Sequence, residues 1–321
     1  MAKKLVAITL LSSIVLLSCI SVTISSSLAF YNVVSFGAKP DGRTDSTQPF
    51  LRAWMAACSS ARPAMVYVPR GTFLIRSGTG FISNRSLGFQ SMVEPLMQGV
   101  LAFGLVEKPQ VLALLELGAS TSSLNTDGIH VESSTGVTIT RSAFRTGDDC
   151  ISIGPATTNV WIQRIACGPG HGISIGSLGN GLIEGGVQNV TVTGVVFTGT
   201  QNGVRIKTWA RPSNGFARDI EFRNVRMKNV GNPIIIDQEY CPNNQCPTMS
   251  SGVQVSQVTY SNIKGTSSTP VAVTFNCSPS VPCRGIQMKD VQLTFENRPA
   301  TAFCANARGT SSGTVIPKSC L

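Results

Sequence analysis

From residue 125 onward the chain alternates short β-branched runs with glycine and asparagine, as in "GVTIT", "CISIG", "GISIG", "NVTVTG", "GVRIK", "RDIEF" and "PIIID". Runs of this length and composition predict strands, and no amphipathic helical pattern interrupts them. Many short strands fit a sandwich, a barrel or a solenoid, but only a solenoid requires its units to repeat in phase. The phase is present: Ile129, Ile151 and Ile173 are 22 residues apart, and so are Val131, Ile153 and Ile175. One coil of that length, holding two or three strands, has the dimensions of a parallel β-helix in which like side chains stack into columns. Later coils lengthen through insertions, expected in loops on one face. The expected fold class is therefore all-β.

The same spacing recurs at polar positions. Asp127, Asp149 and His171 also differ by 22 residues. Neighbouring strands lie about 4.8 Å apart, so these three are expected to form a short column on one wall of the solenoid. A coil later, "NGVRIK" alternates Val204 and Ile206 inward with Arg205 and Lys207 outward. Strict alternation would aim Asp149 at the core beside Ile151, too costly for an unpaired charge. The Asp pair is therefore expected just before a bend, and Gly128, Gly147, Gly170 and Gly172 can supply such bends.

Composition narrows the partners. The first 29 residues begin with Lys3 and Lys4, run through an apolar stretch from Leu5 to Ile20 and end in small polar residues before Phe30. This is the layout of a secretory signal peptide, with an apolar core shorter than the roughly 20 residues of a bilayer-spanning helix. A secreted, extracellular chain with no membrane partner is expected. Losing Lys3 and Lys4 lowers the formal charge from +10 to about +8, which favours acidic partners. Without a basic helix or a long Lys/Arg run, an acidic polysaccharide fits better than nucleic acid or an anionic membrane. Of ten cysteines, Cys19 leaves with the leader. Cys150 and Cys167, Cys241 and Cys246, Cys277 and Cys283, and Cys304 and Cys320 read as four local disulfides, although spacing alone does not fix connectivity. Metal ligation fits them less well, because no CxxC pair or histidine cluster accompanies them. Cys58 is left over.

Glycosidic hydrolysis needs one carboxylic acid to protonate the leaving oxygen and another carboxylate to activate water or attack the sugar. "RTGDDCISIG" at 145–154 sets Asp148 beside Asp149. Mutual repulsion raises one pKa, so an acid stays protonated beside an ionised base. With Asp127 there are three carboxylates for two tasks. His171 can tune the acid, and Arg205 with Lys207 can hold a substrate carboxylate, Arg as a fork and Lys as a point charge. Taken singly, Asp127-Gly128 is an ordinary turn and "RIK" a solvated edge. Their common phase is what turns or solvated edges have no reason to produce.

"NTDG" at 125–128, "GDD" at 147–149, "GHG" at 170–172 and "RIK" at 205–207 stand in the order of the four signatures of plant polygalacturonases, glycoside hydrolase family 28, which the chain resembles. The resemblance covers residues 30 to about 79, beginning "YNVVSFGAKPDGRTDSTQPF", and about 121 to the end. It implies a right-handed parallel β-helix (pectin-lyase-like) that hydrolyses α-1,4 bonds between galacturonic acids with inversion, in the cell wall. It further implies Asp148 as general acid, Asp127 and Asp149 as joint activators of water, and His171 as support for the acid. Arg205 and Lys207 would bind the uronate carboxylate, Asn125 and Tyr240 would contact substrate, and no metal or cofactor is implied. The expected organisation is a leader at 1–29 and one β-helix domain at 30–321, acting as a monomer on pectin.

Residues 80–120 depart from the pattern, with almost no β-helix periodicity and too few residues for the coils the family has there. Several N-terminal coils are therefore expected to be missing, and the stretch reads as mis-spliced or frame-shifted coding sequence. An inserted helix is the alternative, but Pro95 and Pro109 would break it. The partner the family would give Cys58 falls in this stretch, and Leu124 stands where the family commonly has proline. Two other readings follow: a catalytically defective β-helix that only binds pectin, and a calcium-dependent pectate lyase. Asn84, Asn189 and Asn276 sit in N-x-S/T sequons.

Overall fold

A computed structural model describes residues 29–60, 64–67, 69, 72–74, 81–82, 101–104, 110–113, 116–118, 126–242 and 249–321. Residues 1–28 of the expected leader, Asn84, Asn125, Cys246 and the side chain of Cys58 lie outside the described residues. From Ile129 onward a short strand alternates with a long one. The short strands Ile129–Glu132, Ile151–Ile153, Ile173–Leu178, Asn202–Trp209, Asn232–Tyr240, Val271–Asn276 and Thr301–Ala305 stack in chain order as one parallel sheet. The long strands Val137–Arg145, Thr157–Cys167, Val187–Thr198, Phe216–Val230, Gln254–Ser267 and Cys283–Phe295 stack likewise as a second. The chain winds between them as a right-handed parallel β-helix.

The predicted columns are the core. Ile129, Ile151, Ile173, Val204, Ile234 and Val273 pair in register from coil to coil, each with 0% exposure. Two residues on, Val131, Ile153, Ile175, Ile206, Ile236 and Phe275 do the same. Full burial of such a side chain is worth roughly 1.5–3 kcal/mol, so the columns give the helix its drive. The residue between them in each short strand points outward, and this outer face carries the site.

Each long strand is bent at matched positions. Arg141, Arg164, Gly194, Asn224, Asn262 and Asp290 lie at equivalent positions between paired residues of successive coils, all with positive φ between 49° and 64°. Asn and Gly tolerate this left-handed backbone best, and Asn262 Nδ2 donates to Asn224 Oδ1 at 2.8 Å along the column. The glycine and asparagine punctuation of the sequence is thus the solenoid's corners.

At the N-terminal end α1, Thr47–Cys58, packs Phe50, Ala53, Trp54 and Ala57 against the first strands. No helix is expected there from the strand pattern, yet the i, i+3, i+4, i+7 spacing of those four residues is an amphipathic signature. The helix covers a solenoid end that would otherwise expose core.

Within residues 80–120 the described stretches of backbone are extended. Phe81–Ile82, Leu101–Gly104, Gln110–Ala113 and Glu116–Gly118 are strands in the two sheets, and Leu101–Gly104 pairs in parallel with Ile129–Glu132. A ladder needs only extended backbone beside the next rung, whatever the side-chain period. Disulfides join Cys150–Cys167, Cys277–Cys283 and Cys304–Cys320 as expected, and Cys241 is also disulfide-bonded.

Candidate active site

Asp127, Asp148 and Asp149 converge, with one oxygen from each lying within 4.8 Å of the others. Asp127 and Asp149 precede Ile129 and Ile151 by two residues, so the stacking of those isoleucines places them one coil apart. The Asp149 N–H donates to Asp127 Oδ1 at 3.2 Å. As expected, the chain bends at 147–150, so Asp149 leaves the core-facing alternation while Cys150 enters the core and its disulfide. Positive φ at Gly170 and Gly172, 151° and 96°, makes the corresponding turn around His171. At Gly172 a Cβ would stand 2.3 Å from Asn202 O, so no other residue fits without shifting the backbone.

Asp149 is only 1% exposed but fully partnered. Arg205 Nη2 donates to its Oδ1 at 2.9 Å, Lys207 Nζ to its Oδ2 at 2.8 Å, and Ser174 Oγ to Oδ1 at 2.7 Å. Arg205 Nε also donates to Ser174 Oγ at 2.9 Å. These bonds use two of the five guanidinium N–H groups and one of three ammonium protons, so further donors remain. Val204 and Ile206 face the core and Arg205 and Lys207 the outer side, as the alternation predicts. Tyr240 joins them, its ring centroid 5.8 Å from Arg205 Cζ and 5.1 Å from Lys207 Nζ.

His171 continues the backbone column, but its ring turns to the other aspartate of the pair. Nδ1 meets Asp148 Oδ1 at 2.8 Å, and the His171 N–H donates to Asp148 O at 2.7 Å. Burial pushes the Asp148 carboxyl up, yet the His171 hydrogen bond and the charges of His171, Lys207 and Arg205 outweigh it, and its pKa is lowered. Asp127 behaves oppositely. Burial, then the charges of Asp149 and Asp148, raise it to about 7 against the opposing Ser152 hydrogen bond and His130 charge. The carboxyl pushed towards its protonated form is thus Asp127, whereas repulsion was expected to act within the Asp148–Asp149 pair.

Sequence reasoning misses Ser152 and Ser174 and leaves His130 without a role. A signal existed: His130, Ser152 and Ser174 are themselves 22 residues apart, at the outward position between the core columns. Ser152 Oγ donates to Asp127 Oδ2 at 2.5 Å, and His130 Nδ1 lies 2.6 Å from Ser152 Oγ. Among the described residues the three aspartates are the group that could also hold a cation, although a cation there would compete with Lys207 and Arg205 for Asp149.

The family model for glycosyl hydrolases family 28 matches residues 109–315, and one for rhamnogalacturonase A/epimerase, pectate lyase-like, matches 30–90. A polygalacturonase of Prunus persica is 44% identical over 384 residues, covering 96% of this chain and 98% of its own. An exopolygalacturonase of Platanus acerifolia is 34% identical over 92% of this chain and 98% of its own. The 384 aligned positions exceed the 321 residues here, so the Prunus protein has internal residues this chain lacks, in keeping with missing coils. The endo-xylogalacturonan hydrolase from Aspergillus tubingensis superposes with a TM-score of 0.57 at 19% identity, covering 89% of this chain and 79% of that one. For an exopolygalacturonase from Thermotoga maritima the TM-score is 0.54 at 18% identity, covering 88% and 90%. These two likenesses concern the fold, while the family match and the extent of the Prunus alignment establish descent: the chain belongs to glycosyl hydrolases family 28.

Proposed function

We propose that the chain hydrolyses the α-1,4-galacturonosyl bonds of polygalacturonate, with inversion, in the cell wall. The observation that carries this is the cluster itself: three carboxylates within 4.8 Å, one of them paired with two buried cations that have donors to spare. Asp148 protonates the leaving oxygen, supported by His171. Asp127 and Asp149 jointly hold and deprotonate the water. The uronate carboxylate lies against the remaining Arg205 and Lys207 donors under Tyr240, with Asn125 as a further contact. Its negative charge offsets the Lys207 and Arg205 charges that help His171 keep Asp148 ionised, so the cluster's proton passes from Asp127 to Asp148 as substrate binds. Inverting carboxyls usually stand about 6.5–9.5 Å apart. Two bases sharing one water reconcile the closer spacing with inversion.

A calcium-dependent lyase is less well supported, because the chain's own cations already neutralise Asp149. A defective helix that only binds pectin also gains no support, since Asp127, Asp148 and Asp149 converge and His171 bonds Asp148. The chain is further proposed to be secreted as a monomer after loss of residues 1–29, with 30–321 as one domain and glycans at Asn84, Asn189 and Asn276. No helix among the described residues is long and apolar enough to cross a membrane. Release of reducing ends from polygalacturonate, unaffected by calcium chelation, tests the reaction. Asp148→Asn is expected to lower kcat by about 10²–10⁴-fold; retained activity removes Asp148 from its role. Sequencing the transcript across codons 78 to 122 decides the origin of the atypical segment.

A further inference from the structure

Two relays of the same construction reach the two water-side carboxylates. The outward positions of four successive short strands are His130, Ser152, Ser174 and Arg205, partners rung by rung. At one end Arg205 Nε donates to Ser174 Oγ, which donates to Asp149 Oδ1. At the other, His130 Nδ1 lies 2.6 Å from Ser152 Oγ, which donates to Asp127 Oδ2 at 2.5 Å. A serine hydroxyl has one proton. When Asp127 is ionised, Ser152 gives it this proton and so accepts from His130, whose imidazole then carries hydrogen on Nδ1. The ring's other nitrogen lies 3.5 Å from Glu132 Oε2. Room for the ring comes from the next coil, where a Cβ on Gly154 would stand 3.1 Å from His130 Cε1 and Nε2.

We propose that His130 is a positioning residue for Asp127, acting through Ser152 in the way Arg205 acts on Asp149 through Ser174. The relay holds Asp127 Oδ2 while the Asp149 N–H holds Oδ1, fixing the carboxylate plane towards the shared water. It also favours the ionised form that Asp127 needs once the proton has moved to Asp148, because the Ser152 bond and the His130 charge both lower its proton affinity. The charged groups facing His130 and its relay, among the described residues, are Glu132, Asp127, Asp148 and Asp149. The inference rests on the acid-base roles proposed above.

Steady-state kinetics of His130→Gln, Ser152→Ala and the double variant across pH, in the full chain, test it. Each single variant is expected to lose about ten- to a hundredfold in kcat, the range for a lost orienting partner, with KM within about twofold. The alkaline limb of kcat/KM moves to higher pH. Because the two residues act in series, the double variant is no worse than Ser152→Ala alone. Additive losses, an unshifted limb or a loss confined to KM overturns the proposal. With two histidines in the chain, NMR titration of the His130 ring gives a readout independent of activity. A change in Asp127→Asn and in Ser152→Ala is expected, and none in either overturns the relay. A parent chain without activity would instead count against the proposed reaction and leave that titration to decide the relay.

Discussion

At the scale of single residues, the site separates three adjacent aspartates by their partners. Asp149 is neutralised by two cations, the His171 hydrogen bond and charge outweigh burial to lower the Asp148 pKa, and burial with the charges of Asp149 and Asp148 raises Asp127 to about 7, which favours a proton there. The reaction needs that one proton within the cluster, so raising the pH through about 7 empties it. The kcat/KM for polygalacturonate is expected to fall above that value and hold below it until a second carboxylate protonates. A profile still rising beyond pH 8 would show that the proton is not required. The 22-residue phase made the aspartates and His171 legible as neighbours. It does not tell which carboxylate a ring or an ammonium turns to, because that depends on rotamers and on bends at 147–150.

At the scale of elements, the strands were legible because their core columns repeat in phase, and the corners because asparagine and glycine recur where the backbone is left-handed. The helix α1 was missed although Phe50, Ala53, Trp54 and Ala57 carry its period, since attention to a repeat passes over what occurs once. Ile153 sits fully buried between Val131 and Ile175, and the aspartate pair's bend at 147–150 directly precedes its strand. Ile153→Ala is expected to cost about 2–5 kcal/mol in denaturant unfolding, for lost transfer energy and the cavity left in a stack that cannot collapse along its axis. A cost below 1 kcal/mol would mean that the columns do not carry stability.

At the scale of the whole molecule, net positive charge and the Arg205–Lys207 pair on the outer face are expected to act together on a polyanion. Steering of this kind is screened over about 8 Å at physiological ionic strength, so kcat/KM is expected to fall several-fold from low salt to about 0.5 M, mostly through KM. Salt-independent kinetics would confine electrostatics to the bound sugar. The amino-acid sequence by itself determined the β-helix, the coil length and the set of acids and cations that meet, because a periodic pattern of burial fixes which residues stack. Only the tertiary structure decided that burial and neighbouring charge push Asp127 towards its protonated form, that Arg205 and Lys207 are bound to Asp149, and that His130 lies against the site through Ser152. Those outcomes follow from burial and from distances between side chains on different coils, and a linear pattern records the phase of such neighbours but not the direction in which they point.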